Sequence, residues 1–163
     1  MYLVAMKGMP GSGKTTLSQA LGRQLGWPVI DKDMFRPILA DGAQAYQVMF
    51  LQARDLLQQG FNVICDSPLT GPKAYGAACE ISEDTQATLR IVECHCSDEA
   101  LWAQRLEERE KSVHQAGDWQ ALMAYQEKVR PKMQHAFHHP LLQVDMAKPL
   151  AVVTAEVIAW LNP

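Results

Sequence analysis

The stretch Gly8-Met9-Pro10-Gly11-Ser12-Gly13-Lys14-Thr15-Thr16 matches G-x-x-x-x-G-K-[ST], a spacing that cradles phosphate. Glycines let the backbone wrap around an anion with its N–H groups pointing inward. A helix beginning near Lys14 adds the positive end of its dipole. Lys14 is placed to reach the β- and γ-phosphates of a nucleotide, and the Thr15 hydroxyl to ligate Mg²⁺. Gly8, Pro10, Gly11, Ser12, Gly13, Lys14, Thr15 and Thr16 are the expected nucleotide-binding set. A glycine-rich turn could match by chance. The apolar strand pattern before the loop and the helical pattern after it supply the context that the motif requires.

Asp31-Lys32-Asp33-Met34-Phe35-Arg36 follows the second strand-like run. A hydroxyl that accepts a phosphoryl group needs a base for its proton and a cation to orient it. Asp33 and Arg36 are spaced to supply both if a helix starts at Asp33. The plainer alternative makes Asp33 only a helix N-cap and Arg36 a solvated partner; the neighbouring phosphate loop favours the functional reading. Val63-Ile64-Cys65-Asp66 ends an apolar run in an acid, the pattern of a magnesium-site carboxylate acting near Thr15. Arg105 and Arg109 are four apart and project from one helix face. They could steady a transferring phosphoryl group. With Glu107, Glu108 and Glu110 beside them, a solvated charged face stands as an equal reading. The irregular Ser112–Gly117 segment is a candidate lid, within a lid region of about 105–130.

Cys94-His95-Cys96 invites a metal reading, but on a strand the two thiols face one way and the imidazole the other. No second cysteine pair completes a tetrahedral site. His135, His138 and His139 read as a polar loop before a strand.

Apolar, β-branched runs alternate with segments of helical period. Strands are predicted at Tyr2–Met6, Pro28–Asp31, Phe61–Asp66, Thr88–Cys94 and Leu141–Val144. Helices are predicted at Lys14–Leu25, Ala43–Gln59, Lys73–Glu83, Asp98 to about Lys111, Trp119–Val129 and Leu150–Leu161. Gly26 and Gly60 are the expected stops and Ser97 the expected cap of the fourth helix. Pro131 should end or kink the fifth. This alternation implies right-handed crossovers and a parallel sheet covered on both faces. Ligands in such sheets bind at the carboxyl ends of the strands, where the loop, Asp33 and Asp66 all fall.

The chain has 163 residues, 48% of them hydrophobic, and a formal charge of −3. That suits one domain with a full core. Its mixed charge disfavours a nonspecific nucleic-acid binder. Four cysteines without a transmembrane run or a signal-like leader fit free thiols in a cytoplasmic protein.

GMPGSGKTT, DKDMFR, VICDSP and RLEER occur in that order, and together the chain resembles the small P-loop kinases of the nucleoside-monophosphate-kinase-like group. Cousins by pattern are gluconate kinase, adenylylsulfate kinase, the kinase domain of polynucleotide kinase, chloramphenicol phosphotransferase and zeta-type toxins. The resemblance covers nearly the whole chain. It implies a three-layer α/β P-loop fold, a five-stranded parallel sheet with helices on both faces and a short helical lid. It also implies ATP and Mg²⁺ as cofactors, with Asp33 as base or substrate anchor and Arg105 and Arg109 on the ATP phosphates. By the same resemblance Asp145, Met146 and Ala147 fall where the adenine is held. Asp31 and Asp33 look like the D-G-D segment of gluconate and adenylylsulfate kinases, with Lys32 in place of the glycine. Arg36-Pro37 stands where gluconate kinase has His-Pro, which makes gluconate a poor candidate.

Asp66-Ser67-Pro68-Leu69 is not the D-x-x-G of a GTPase switch, and no N-K-x-D segment occurs. Cys65 and Ser67 flank Asp66, where motor-type ATPases carry a water-activating Glu. The expectation is therefore transfer to a hydroxyl of a small-molecule or nucleotide-like acceptor. A regulatory ATP-binding module and, less favoured, a polynucleotide 5′-end kinase are the alternatives. Met34, Phe35, Tyr46 and Tyr75 near the acceptor segments are either the lining for a partly apolar or ring-containing acceptor or simply core.

Overall fold

Five parallel strands, β1 (Tyr2–Lys7), β2 (Val29–Asp31), β3 (Val63–Asp66), β4 (Thr88–His95) and β5 (Leu141–Asp145), lie side by side in the order β2-β3-β1-β4-β5. The helices are α1 (Lys14–Leu25), α2 (Gly42–Gln58), α3 (Pro72–Thr85), α4 (Glu99–Glu107), α5 (Trp119–Met133) and α6 (Leu150–Leu161), with a 3₁₀ segment at Lys32–Ile38. The computed structural model describes residues 1–39, 42–108, 119–133 and 137–161, with only the backbone of Arg36 and of residues 130–133.

Both faces of β1 are buried, which is why its sequence is apolar without alternation. Leu3 and Ala5 point to one core with Met49, Ala53 and Leu57 of α2 and Ala78 of α3. Val4 and Met6 point to the other, with Leu17 and Leu21 of α1 and Val153 and Val157 of α6. Three layers result, as expected from the alternating pattern.

Three helices close with the same hydrogen-bond signature, in which the N–H of the residue at C″ bonds back to the carbonyl five residues earlier. Trp27 N–H donates to Gly22 O at 3.1 Å, Phe61 N–H to Leu56 O at 3.1 Å and Ala87 N–H to Ser82 O at 3.0 Å. The left-handed residue is Gly26 (φ 70°) in the first and Gly60 (φ 91°) in the second, but Gln86 (φ 55°) in the third. Phe61 is thus consumed by the end of α2, so β3 begins at Val63 and not at Phe61. With no glycine to mark it, α3 runs to Thr85, beyond the expected Glu83.

The cap of α4 is Asp98 and not Ser97: the Asp98 carboxylate accepts the Leu101 N–H, while the Ser97 hydroxyl turns to Asp145. That helix ends at Glu107, short of Lys111. α5 runs on through Pro131 to Met133. The Ser112–Gly117 lid segment and Arg109 lie outside the described residues. No described helix is long and apolar enough to cross a membrane.

Candidate active site

The loop between β1 and α1 holds three glycines at positive φ: Gly8 (143°), Gly11 (74°) and Gly13 (92°). At Gly8 a side chain would also collide with β4, since a Cβ there would sit 2.4 Å from Cys94 O. At Gly11 a Cβ would meet Leu106 of α4 at 2.9 Å. From the same helix the Trp102 indole N–H donates to Pro10 O at 2.9 Å, so α4 braces the loop from outside. Trp102 in turn meets Trp119, the first residue of α5, edge to face at 5.5 Å.

Two observations test whether this loop fits phosphate. The N-terminus of α1 has no side-chain cap and no acid in its first turn, leaving its dipole and amides for an anion. Ser12 is buried, and its hydroxyl has no hydrogen-bond partner among the described residues, a costly state unless a ligand oxygen supplies one. Lys14 Nζ spans the loop to Met9 O at 2.9 Å. The residues present fit a triphosphate.

Beside the loop, Asp66 at the end of β3 is buried, and Ser18 Oγ lies 3.2 Å from its Oδ2 and 3.0 Å from Thr15 O. Asp31 ends β2 in register with Asp66. Burial pushes the Asp31 carboxyl up from its ordinary value; the Asp33 N–H opposes this, and the charges of Asp66 and Asp33 add to it. The hydroxyl of Thr15 and these carboxylates are hard oxygen donors, the set Mg²⁺ requires. Among the described residues no group of three or more His, Cys, Asp or Glu side chains is gathered as a metal site. Cys94 and Cys96 are both buried and His95 is exposed, with Cys96 already beyond the end of β4.

The segment after β2 is a 3₁₀ turn beginning at Lys32, where a helix from Asp33 was expected. The Asp31 carboxylate accepts the Asp33 N–H at 2.8 Å and fixes the turn. Lys32 is 2% exposed; its Nζ lies 2.6 Å from Asp33 Oδ1 and 5.3 Å from the centroid of the Tyr46 ring. The Tyr46 hydroxyl accepts the Thr70 N–H at 3.4 Å. Nothing in the sequence pattern marked Lys32 as buried. Phe35 and Tyr46 pack against the core, and Tyr75 is buried edge-on to Phe137 at 4.8 Å. Of the two readings of these aromatic residues, core is the one their packing supports.

On the far side, Arg105 of α4 donates from Nη2 to Met146 O at 3.0 Å and approaches Cys96 Sγ at 3.8 Å. Met146 N–H donates to His95 O at 2.7 Å, and its side chain covers Gly13. Asp145 is occupied elsewhere. Its carboxylate accepts from Ser97 N–H, Ser97 Oγ–H and Ala147 N–H at 3.0, 2.5 and 3.0 Å. Those bonds, the Ser97 hydroxyl foremost, hold it down to about 2.

One cleft of about 480 Å³ joins these parts. Lys14, Thr15 and Thr16 line it at the loop, Asp31 and Asp33 at one end, and Arg105 with Met146 and Lys148 at the other. Neither Asp66 nor Asp145 is among the lining residues.

A phosphate loop at the carboxyl end of the central strand of a 2-3-1-4-5 parallel sheet defines a three-layer P-loop fold. The chain belongs to the AAA domain family, whose profile matches residues 3–132. Solved structures agree on the fold. A sugar kinase from Janibacter sp. HTCC2649 superposes with a TM-score of 0.73 at 13% identity, over 99% of this chain and 95% of that one. The Mycobacterium tuberculosis APS kinase CysC, in complex with AMPPNP and APS, gives 0.72 at 17% identity, over 99% and 98%. A gluconokinase from Sinorhizobium meliloti 1021 gives 0.66 at 18%, over 97% and 90%. No curated protein sequence matches the chain.

Proposed function

We propose that the protein is an ATP- and Mg²⁺-dependent kinase that transfers the γ-phosphoryl group to a hydroxyl of a small-molecule or nucleotide-like acceptor. The observation that carries this reading is the shared cleft: Lys14 and Thr15 of the loop and Asp31 and Asp33 after β2 line one cavity. A donor site with a carboxylate facing it across the same space is what in-line transfer needs. The structural similarity to an APS kinase that holds AMPPNP and APS supports it.

Lys14 and the loop amides bind the triphosphate, with Ser12 Oγ offering a further donor. Mg²⁺, held by Thr15 and Asp66, would neutralise charge between the phosphates. Asp33 accepts the acceptor's hydroxyl proton as its oxygen bonds to phosphorus and the bond to the ADP oxygen breaks. Arg36 orients the acceptor. Arg105 and Arg109 are assigned to the phosphates; Arg105 reaches them only by leaving or sharing the Met146 carbonyl that it now holds.

The test is a screen of hydroxyl-bearing metabolites and antibiotics for acceptor-stimulated ADP release. Lys14→Ala should abolish the stimulated release. Asp33→Asn should lower kcat by about 10²–10⁴-fold with little change in ATP affinity. Full turnover by Asp33→Asn would remove Asp33 as the base. Tight ATP binding with no stimulated turnover would instead indicate a nucleotide-binding module.

A further inference from the structure

Pro10 and Gly11 are the central residues of a turn that Ser12 N–H closes by donating to Met9 O at 3.2 Å. With proline second and glycine third, at φ 74°, it is a type II turn. Neither residue imposes that choice. Proline suits the second place of a type I turn equally, and glycine adopts φ of either sign about as readily. The two turn types differ mainly in the orientation of the peptide between these residues, so a contact outside the turn must select it. The carbonyl of that peptide accepts the Trp102 indole N–H at 2.9 Å. Gly11 has no side chain to keep α4 away: a Cβ there would sit 3.1 Å from Trp102 Nε1. Trp102 is itself fixed near the start of α4, with its backbone N–H on Asp98 O at 3.0 Å and Trp119 edge to face on its ring.

In a trans peptide the C=O and the N–H point in opposite directions. Gly11 lines the cleft, and Trp102 is not among the lining residues. A carbonyl committed to Trp102 therefore leaves the Gly11 N–H turned toward the cleft. Among the described residues that N–H has no acceptor, and the neighbouring Ser12 hydroxyl has no partner. A phosphate oxygen would satisfy both. We propose that Trp102 is a positioning residue for nucleotide binding: by holding the Pro10 carbonyl it aims the Gly11 N–H at the phosphates. The role rests on the nucleotide-binding half of the kinase reading and needs no acceptor. A partly buried indole takes a hydrogen-bond partner in any case, so the donor has to be separated from the ring that carries it.

Pro10-Gly11 is the one Pro-Gly pair in the sequence. Protein labelled with ¹³C-carbonyl proline and ¹⁵N-glycine therefore gives a single coupled signal, whose carbon reports the Pro10 carbonyl and whose amide proton reports the Gly11 N–H. Trp102→Phe removes the donor. Trp102→His, studied at about pH 8 with the ring neutral, offers an N–H on a five-membered ring at the same number of bonds from Cβ as in indole. Binding of a non-hydrolysable ATP analogue with Mg²⁺ should move the Gly11 proton downfield in wild type and Trp102→His, and much less in Trp102→Phe. By calorimetry Trp102→Phe should bind the analogue about 2–10-fold more weakly, and Trp102→His should recover most of that loss.

Equal responses of the Gly11 proton in wild type and Trp102→Phe overturn the proposal and leave the kinase reading standing. So does an equal loss in Trp102→Phe and Trp102→His, which assigns the effect to packing. Should the variants fail to fold, wild type alone decides: a downfield move of the Gly11 proton on binding supports the aim of that N–H, and a proton that stays in place overturns it. A wild-type protein that binds no nucleotide overturns the kinase reading and the role of Trp102 together.

Discussion

Single side chains divide into those whose chemistry shows in their type and spacing and those whose environment decides it. Lys14, Thr15 and Asp33 belong to the first kind as candidates, because the loop motif and the strand ends single them out before any contact is known. Lys32 and Asp145 belong to the second. Both sit beside conspicuous residues, yet one is buried under Tyr46 and the other is spent on Ser97 and Ala147. Nothing local in the sequence reports such long-range partners. The Asp145 carboxyl is held at about 2, below its ordinary 3.8. A depressed folded value contributes stability above the ordinary value, lost as pH falls through the folded one. Asp145→Ala is therefore expected to melt lower than wild type at pH 7. The gap should narrow from about pH 4 downward and close near pH 2, as thermal scans across pH would show.

Elements were legible wherever their punctuation is glycine or an apolar period. α1 and α6 have the bounds that their periodicity predicts. The misreadings share a cause: a residue serving a helix end that its type does not advertise. Gln86 takes the left-handed cap of α3, Phe61 is drawn into the end of α2, and Asp98 outcompetes Ser97 as the cap of α4. A non-glycine residue in the left-handed region carries a backbone cost of about 1 kcal/mol or more. Gln86→Gly should accordingly stabilise the protein by about 0.5–1 kcal/mol in urea unfolding with an unchanged slope. Gly60→Ala is the converse. Open space surrounds a Cβ there, so its expected loss of about 1 kcal/mol is backbone strain alone.

For the molecule as a whole, the layering was legible and the strand order was not. Leu3, Val4, Ala5 and Met6 in succession require cover on both faces of β1, which points to helices on both sides of the sheet. The placing of β3 and β4 on either side of β1 rests on pairings between residues about sixty and ninety apart, beyond the reach of any local pattern. The same order puts the loop, Asp31 and Asp66 at one end of the sheet. At the other end Tyr2 stacks on Trp27, with ring centroids 5.8 Å apart, and Arg90 lies over Tyr2 and Trp160.

The four tryptophans are thereby sorted into two optical populations. Trp27 and Trp160 belong to the end remote from the loop, whereas the Trp102 indole is hydrogen-bonded to the loop itself and abuts Trp119. Any rearrangement of the Pro10 carbonyl on nucleotide binding is transmitted to a fluorophore without a label. Titration with a non-hydrolysable ATP analogue should change the intrinsic emission of the wild type and of Trp27→Phe, and leave that of Trp102→Phe nearly unchanged. The brace that supports the phosphate loop is in this sense also its built-in gauge, able to read donor occupancy before any acceptor is known.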